Sequence, residues 1–531
     1  MAGPNVVATA RSKGFGRFTP HQFAFQKASG VIGDGTDDGP ALASMSEAIN
    51  ALGGGQIELG DTEYWVGGQV LHNPGVGLDG VGPGFYRFYP GTPYPINIKG
   101  CTKPVVIYGG AASIRCLPRA KYGNFKIDGT AWDNGPTYAG DGAAAPYIAM
   151  INIEGCSGPI TGTLPEMDGN IKKASIGGPW AADGSGRQLP MSGLRLYDNT
   201  GPILLEGGRS HHHGLDGLIG NGPGKLDGKE QVVLRNFISL SNGRNNGSLV
   251  GANGWHFDFC KFNEAGKNLG RMTYSAPGAG LDLESEAGRY VVNITFNRCE
   301  FADNSTAGLV ADTAAKTYGI TCQQCRFVGT TSWAIWPNRP YMRFIDCEIV
   351  GAITSAYASA DPDKATKFVR CQLTDDVALS PTGQTYGGGS GYIHFDTGRG
   401  TQNILFDECC WIKTKSGGDS VNGAAVSSVD GPGLRLRNNT IERVAGVKGH
   451  LYVYGIYSGE RTKLVNVIGI PSSHAKRLGL VNVGPSTDSF YYDGSAAFKI
   501  GPTRFSPSFD ETTGNKRKMP FTRTPRPRSM K

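Results

Sequence analysis

One short phrase returns through the second half of the chain: an aromatic or aliphatic residue, two mostly polar residues, Cys, any residue, then an apolar one. It occurs as Phe257–Phe262 (FDFCKF), Phe296–Phe301 (FNRCEF), Cys322–Phe327 (CQQCRF), Phe344–Ile349 (FIDCEI), Phe368–Leu373 (FVRCQL) and Phe406–Trp411 (FDECCW). A seventh copy, Leu436–Ile441 (LRNNTI), has Asn439 in the Cys position. The cysteines at 260, 299, 325, 347, 371 and 409 are 39, 26, 22, 24 and 38 residues apart. Intervals of this size indicate one structural coil per repeat, with the longer ones carrying loops. Before most copies apolar and polar residues alternate, as in Trp255-His256-Phe257 and Ile294-Thr295-Phe296, and a period of two marks a strand. One such coil cannot bury its own apolar face, so coils must stack and form inward ladders of like residues.

Composition agrees with a stacked β protein. The 531 residues include 80 Gly and 31 Pro without a Gly-X-Y period, and 39% apolar against 18% charged residues, which excludes collagen and a disordered chain. The net charge of +7 is carried by Lys516–Lys531, which holds seven Lys or Arg and no acid, so residues 1–515 sum to zero. A basic nucleic-acid-binding body is thereby excluded, and nucleic acid is not the expected partner. No apolar run approaches the roughly 20 residues of a membrane span, and Met1–Thr19 lacks the apolar core of a Sec signal. The eleven cysteines are an odd number and are expected to be free, buried and small. The pair Cys322 and Cys325 has no second pair or His at zinc spacing and is read as packing.

Two stretches resemble the pectate-lyase-like superfamily. The first is Gly33–Asp38 (GDGTDD), followed by a helix pattern at residues 40–52, then Gly53-Gly54-Gly55-Gln56-Ile57-Glu58-Leu59 and Tyr64. The second is Gly278–Glu284 (GAGLDLE), followed by Asn293–Phe296 and Cys299. The likeness covers about residues 30–470. It implies an all-β, single-stranded right-handed parallel β-helix whose open end is closed by a short helix. It implies carbohydrate chemistry only broadly, since such folds host lyases, hydrolases, epimerases and tailspike depolymerases. Glycines 266, 280, 308 and 329 are read as corners that need positive φ.

Candidate chemistry lies where acids cluster. Leu281 and Leu283 point inward, so Asp282 and Glu284 point outward, and Gly308–Asp312 aligns with Gly280–Glu284, which puts Asp312 in the column of Glu284. Parallel strands about 4.8 Å apart and same-face neighbours about 6.6 Å apart then gather three carboxylates in one patch. That is the spacing of glycosidase acid pairs, and like charges so close raise a pKa toward that of a general acid. Asp282, Glu284 and Asp312 are the candidate catalytic residues, beside a loop at Ala265–Pro277. His256 and Asp258, on the preceding coil, either join this site or flank it. Arg244 either binds an acidic sugar, or stabilises an enolate in a lyase, or is a structural turn residue. Trp333, Trp336, Tyr392, Tyr452 and Tyr454 are candidates for stacking on sugar, with Trp336 and Tyr452 preferred. His211, His212 and His213 followed by Asp216 offer a base or a metal ligand, but three consecutive strand residues cannot point one way, and a solvated loop is the expectation. No metal site is assigned and no cofactor is expected, with Ca2+ entering only for a lyase.

The resulting expectation is a phage tailspike-like protein: an attachment segment at 1–30, a β-helix at 31–470, a C-terminal region at 471–515 suited to trimerisation, and a basic extended tail at 516–531. It would be a soluble virion protein without membrane insertion, forming a homotrimer and contacting other tail proteins. It would bind and cleave a bacterial surface polysaccharide by hydrolysis. A lyase of the same fold is the second reading, and a non-catalytic glycan-binding component the third.

Overall fold

The computed structural model describes residues 16–71, 86–125, 129–131, 142–177, 188–272, 274–312, 314–381, 394–396, 403–414 and 428–444, and thereafter the strands between 452 and 499. The basic tail and Tyr392 lie outside the described residues, as do the side chains of Tyr452 and Tyr454.

A typical coil contributes three strand segments, and each pairs in parallel with its counterpart in the next coil. In one coil these are Gly247–Asn253, Trp255–Asp258 and Lys261–Asn263, which we take as members of a first, second and third sheet. The first sheet climbs from Ile96–Lys99 through Ala149–Glu154, Ser192–Tyr197, Leu218–Asn221, Gly247–Asn253, Leu281–Leu283 and Ala307–Ala311 to the second half of Arg326–Pro337. The fold is a right-handed parallel β-helix.

The N-terminal end is closed as the sequence predicts. A helix spans Gly39–Leu52, starts with Pro40 in its first turn, and stops at Gly53, which adopts φ 72° and returns its N–H to the last carbonyls. It buries Ala41, Leu42, Met45, Ala48 and Ile49 over the first coil. In the GDGTDD stretch, Asp38 is fully buried, receives Lys27 Nζ at 2.6 Å, and accepts the Trp65 amide at 2.9 Å, which pins the helix start to the solenoid wall.

The cysteine column is an interior seam. Every cysteine at 260, 299, 325, 347, 371 and 409 is buried and free. The residue just before each is left-handed without being glycine: Phe259, Arg298, Gln324, Asp346, Arg370 and Glu408 have φ between 52° and 55°. These residues turn the chain from the second sheet to the third. Each thiol then meets a carbonyl of the coil below, as Cys347 Sγ to Cys322 O at 3.4 Å and Cys409 Sγ to Phe368 O at 3.5 Å. Asn439 does the same work with stronger groups, donating to Phe406 O at 2.9 Å and accepting the Cys409 amide at 2.8 Å. Inside the second-sheet strands Phe344, Phe368 and Phe406 stack with centroids 4.9 and 4.4 Å apart.

Three expected glycine corners have another cause. Gly266 has φ 71°, but Gly280, Gly308 and Gly329 are not in the left-handed region. A Cβ on Gly280 would approach Gly308 O to 2.4 Å, and one on Gly308 would approach Ala334 O to 2.6 Å, so close stacking of backbones excludes a side chain there. The ladder also continues beyond Ile470, where the repeat phrase has faded: Thr462–Val465 pairs with Leu480–Asn482, and Ile468–Pro471 with Phe490–Tyr492. Backbone pairing needs no cysteine to persist.

Candidate active site

The acidic patch forms on the outer face of the first sheet. Asp282 pairs with Ser248 on the coil below and Val310 on the coil above, and Val310 pairs with Trp336. This register confirms the alignment of Gly280–Glu284 with Gly308–Asp312 and carries Glu284 and Asp312 to equivalent places on successive coils.

Asp282 is the deepest of the three, only 8% exposed. An apolar wall lies beside it: Ala279, Ala307 and Val310 pack with Trp333 and Trp336, whose rings meet edge to face at 5.0 Å. Burial pushes the Asp282 carboxyl up to about 7, and the charges of Glu284, Asp312 and Asp216 add to this while Arg244 opposes it. Glu284 is exposed, and its carboxyl is raised by partial burial and then by Glu286 and Asp312. The patch therefore holds one carboxyl poised to carry a proton near neutral pH next to Glu284 and Asp312 in more watery surroundings.

Arg244 closes the patch from the turn below. Its guanidinium grips the fully buried Asp216 in a two-point contact, with Nε at 2.8 Å from Oδ1, and also meets Gln188. Asp216 further accepts the Asn245 amide at 3.1 Å and Ser248 Oγ at 2.8 Å. Asn245 in turn accepts the Ala279 amide at 2.8 Å, which ties the turn to the coil that carries Asp282. The loop at Ala265–Pro277 is folded down, with Ala265, Leu269, Met272 and Ser275 buried and the Ser275 amide bonded to Gly243 O at 2.7 Å.

His256 and Asp258 do not join this group. They stand on the second sheet, in register with Thr295 and Asn297, where Asp258 accepts Asn297 Nδ2 at 2.7 Å and faces His256 at 3.5 Å and Arg235 at 3.6 Å. Tyr452 begins a first-sheet strand four pairings above Trp333. Asp216 and Glu286 are members of the patch that sequence reasoning did not include. Asp216 was visible only as the acid following the histidines, and its pairing with Arg244, 28 residues later, depends on which corners stack.

The histidines are not a solvated loop. His213 is fully buried, with Nδ1 2.9 Å from Tyr147 Oη, and His211 is 5% exposed. His212 adopts φ 54°, which breaks the strand alternation and turns its ring onto that of His211, with centroids 4.9 Å apart. Burial holds both imidazoles below their ordinary range, His212 at about 4.

Calcium does not fit the acidic patch. Among the described residues, Asp282, Glu284 and Asp312 are not drawn to a common ligand point, and the most central carboxyl is buried against apolar side chains and held toward its neutral form.

No family model and no curated protein matches the sequence. Solved structures do match. The mannuronan C-5 epimerase AlgE6 A-module of Azotobacter vinelandii is 14% identical, with 86% of this chain and 99% of that chain covered and a TM-score of 0.38. The tailspike protein of E. coli bacteriophage HK620, solved in complex with a pentasaccharide, is 11% identical over 91% of this chain and 81% of that one, with a TM-score of 0.44. The endo-xylogalacturonan hydrolase of Aspergillus tubingensis is 11% identical over 89% and 97%, with a TM-score of 0.29. All are right-handed parallel β-helices. The likeness is one of fold.

Proposed function

We propose that this chain is a tailspike-like depolymerase that hydrolyses a glycosidic bond of a bacterial surface polysaccharide. Asp282 is the proton donor to the leaving oxygen, and Glu284, with Asp312 beside it, is the carboxylate that activates water or attacks the sugar. The observation that carries this reading is the contrast between the buried Asp282, pushed up to about 7, and the exposed Glu284 just past the end of its strand. Two carboxyls whose surroundings separate their proton affinities can divide acid and base roles. Trp333 and Trp336 give an apolar edge on which a sugar face can rest, and Trp336 Nε1 is a buried donor without a hydrogen-bond partner among the described residues.

A lyase needs a base to remove a proton next to the uronate carboxyl. Among the described residues, Arg244 is the basic side chain whose charge acts on Asp282, and its ion pair with Asp216 raises its proton affinity. It is therefore a positioning residue and a poor base, and hydrolysis is the favoured reading. The reading further implies a homotrimer on a phage tail, with residues 1–30 attaching to other virion proteins and the basic tail at 516–531 docking on an acidic protein surface.

The test is release of reducing ends from capsule or O-antigen polysaccharide by the full chain and by Asp282→Asn and Glu284→Gln. Loss of 10²-fold or more in both supports the assignment. Wild-type rates in both overturn it, and a product absorbing as an unsaturated uronide would turn it into a lyase.

A further inference from the structure

We infer that Asp168, His211 and His212 form a binding site for a divalent transition-metal ion of the zinc type. The site lies on the third sheet and is independent of the acidic patch. Asp168 ends the strand Glu166–Asp168, which pairs with Arg209–His211 so that Asp168 and His211 are direct partners on adjacent rungs. The left-handed φ of His212 then brings its ring to the same place.

Three ligand atoms converge there. His211 Nδ1 and His212 Nδ1 are 2.7 Å apart, and Asp168 Oδ1 lies 3.5 and 3.9 Å from them. With metal–ligand bonds of about 2.0–2.1 Å, a tetrahedral ion holds its ligand atoms about 3.3 Å apart, and the three separations scatter around that value.

The surrounding groups fix the required tautomer. His211 Nε2 is 2.9 Å from Glu166 Oε1, and a carboxylate there accepts a hydrogen bond from Nε2–H, which keeps the proton on Nε2 and leaves the Nδ1 lone pair aimed at His212 and Asp168. Asp168 is itself oriented: Oδ2 accepts Arg115 Nε at 3.0 Å and Oδ1 accepts the Asn170 amide at 2.8 Å. Without an ion, the two Nδ1 atoms share one proton across 2.7 Å. A cation in its place takes a lone pair from each of them and one from Asp168 Oδ1.

The backbone is shaped to hold this arrangement. A Cβ on Gly169 would fall 2.3 Å from His212 O, so only glycine after Asp168 lets the two turns close on each other. Two imidazoles and one carboxylate favour a borderline ion over calcium or magnesium, which prefer all-oxygen sites. Nearby charge neither adds to nor cancels this, since Glu63, Glu166 and Asp168 stand against Arg115, Arg209 and Lys172. The His212 side chain is 20% exposed, so the ion has a path from solvent and a fourth position open to water.

The test is calorimetric titration of the full, chelator-treated chain with Zn2+, with Co2+ as a spectroscopic probe. The expected result is one tight equivalent of Zn2+, a visible Co2+ band of tetrahedral type, and no displacement by excess Ca2+. His212→Gly, which suits the left-handed backbone, and Asp168→Asn, which keeps the shape, should each weaken binding by more than about tenfold and remove the band. Circular dichroism checks that both are folded, and Asp168→Asn decides if the glycine variant is not. No binding to the unaltered chain, or wild-type affinity in Asp168→Asn, overturns the site. Polysaccharide cleavage plays no part in the readout.

Discussion

Asp282 has Val310 as its partner on the rung above, so the carboxyl at the centre of an acidic patch looks onto an apolar neighbour and, beyond it, onto Trp336. That one pairing explains why this acid differs from Glu284 two residues later, which points toward Asp312 and water.

The pH dependence of catalysis follows from that difference. If Asp282 must carry a proton to assist departure of the leaving oxygen, kcat/KM should fall as pH rises through about 7. The acidic limb should lie above the ordinary Glu range, because Glu284 must lose its proton and its carboxyl is raised. Rate measurements from pH 4 to 9 check this, and a rate still climbing above pH 8 speaks against Asp282 as the acid.

Stability should show the same group from the other side. Asp282 binds its proton more tightly folded than unfolded, so its favourable contribution is complete below about pH 4 and is lost as pH rises through about 7. Its share of the pH profile is a loss of a few kcal/mol over that window. Asp282→Asn, which carries no charge to bury, should flatten this part of the profile and be more stable than the unaltered chain at pH 8. Urea unfolding at a series of pH values measures it.

Asp216 and Arg244 should behave as a buried unit. Asp216→Ala strands the Arg244 charge and is expected to cost about 3–5 kcal/mol, whereas Asp216→Ala combined with Arg244→Met should recover much of that loss. A double-mutant cycle read by denaturant unfolding gives the coupling, and additive effects would show that the pair is not a unit.

The seam can be tested at its exceptional member. Asn439→Ala removes the acceptor of the Cys409 amide and a donor to the Phe406 carbonyl and should cost about 1–3 kcal/mol. Asn439→Cys restores the column's usual residue, which can still meet the carbonyl, and should be the milder change. Equal losses would mean that the seam is held by volume alone.

The repeat phrase reveals much of this in the sequence, because a buried column and its period survive any drift of the loops. The register of Asp282 against Val310 was legible for the same reason, through Gly280 and Gly308 one coil apart. Other features depend on backbone angles that composition does not announce. His211 and His212 share a face only because His212 is left-handed, and strict alternation would have separated them. His256 and Asp258 alternate outward as expected, yet a corner after Asn253 turns them onto another sheet. Asp216 meets Arg244 through a stacking of corners, a contact that no local pattern encodes.

From Asp258 to Arg437, each passage between the second and third sheets uses two residues, the left-handed one and the member of the seam. The remaining corners vary widely: only residues 303–306 separate Ala302 from Ala307, whereas 264–280 separate Asn263 from Leu281. All freedom of length is therefore displaced to the two borders of the first sheet. The molecule has a hinge-free spine along one edge and an adjustable margin around the face that bears the acids. Segments can be lengthened or exchanged beside that face to suit a different ligand while the coils keep their phase.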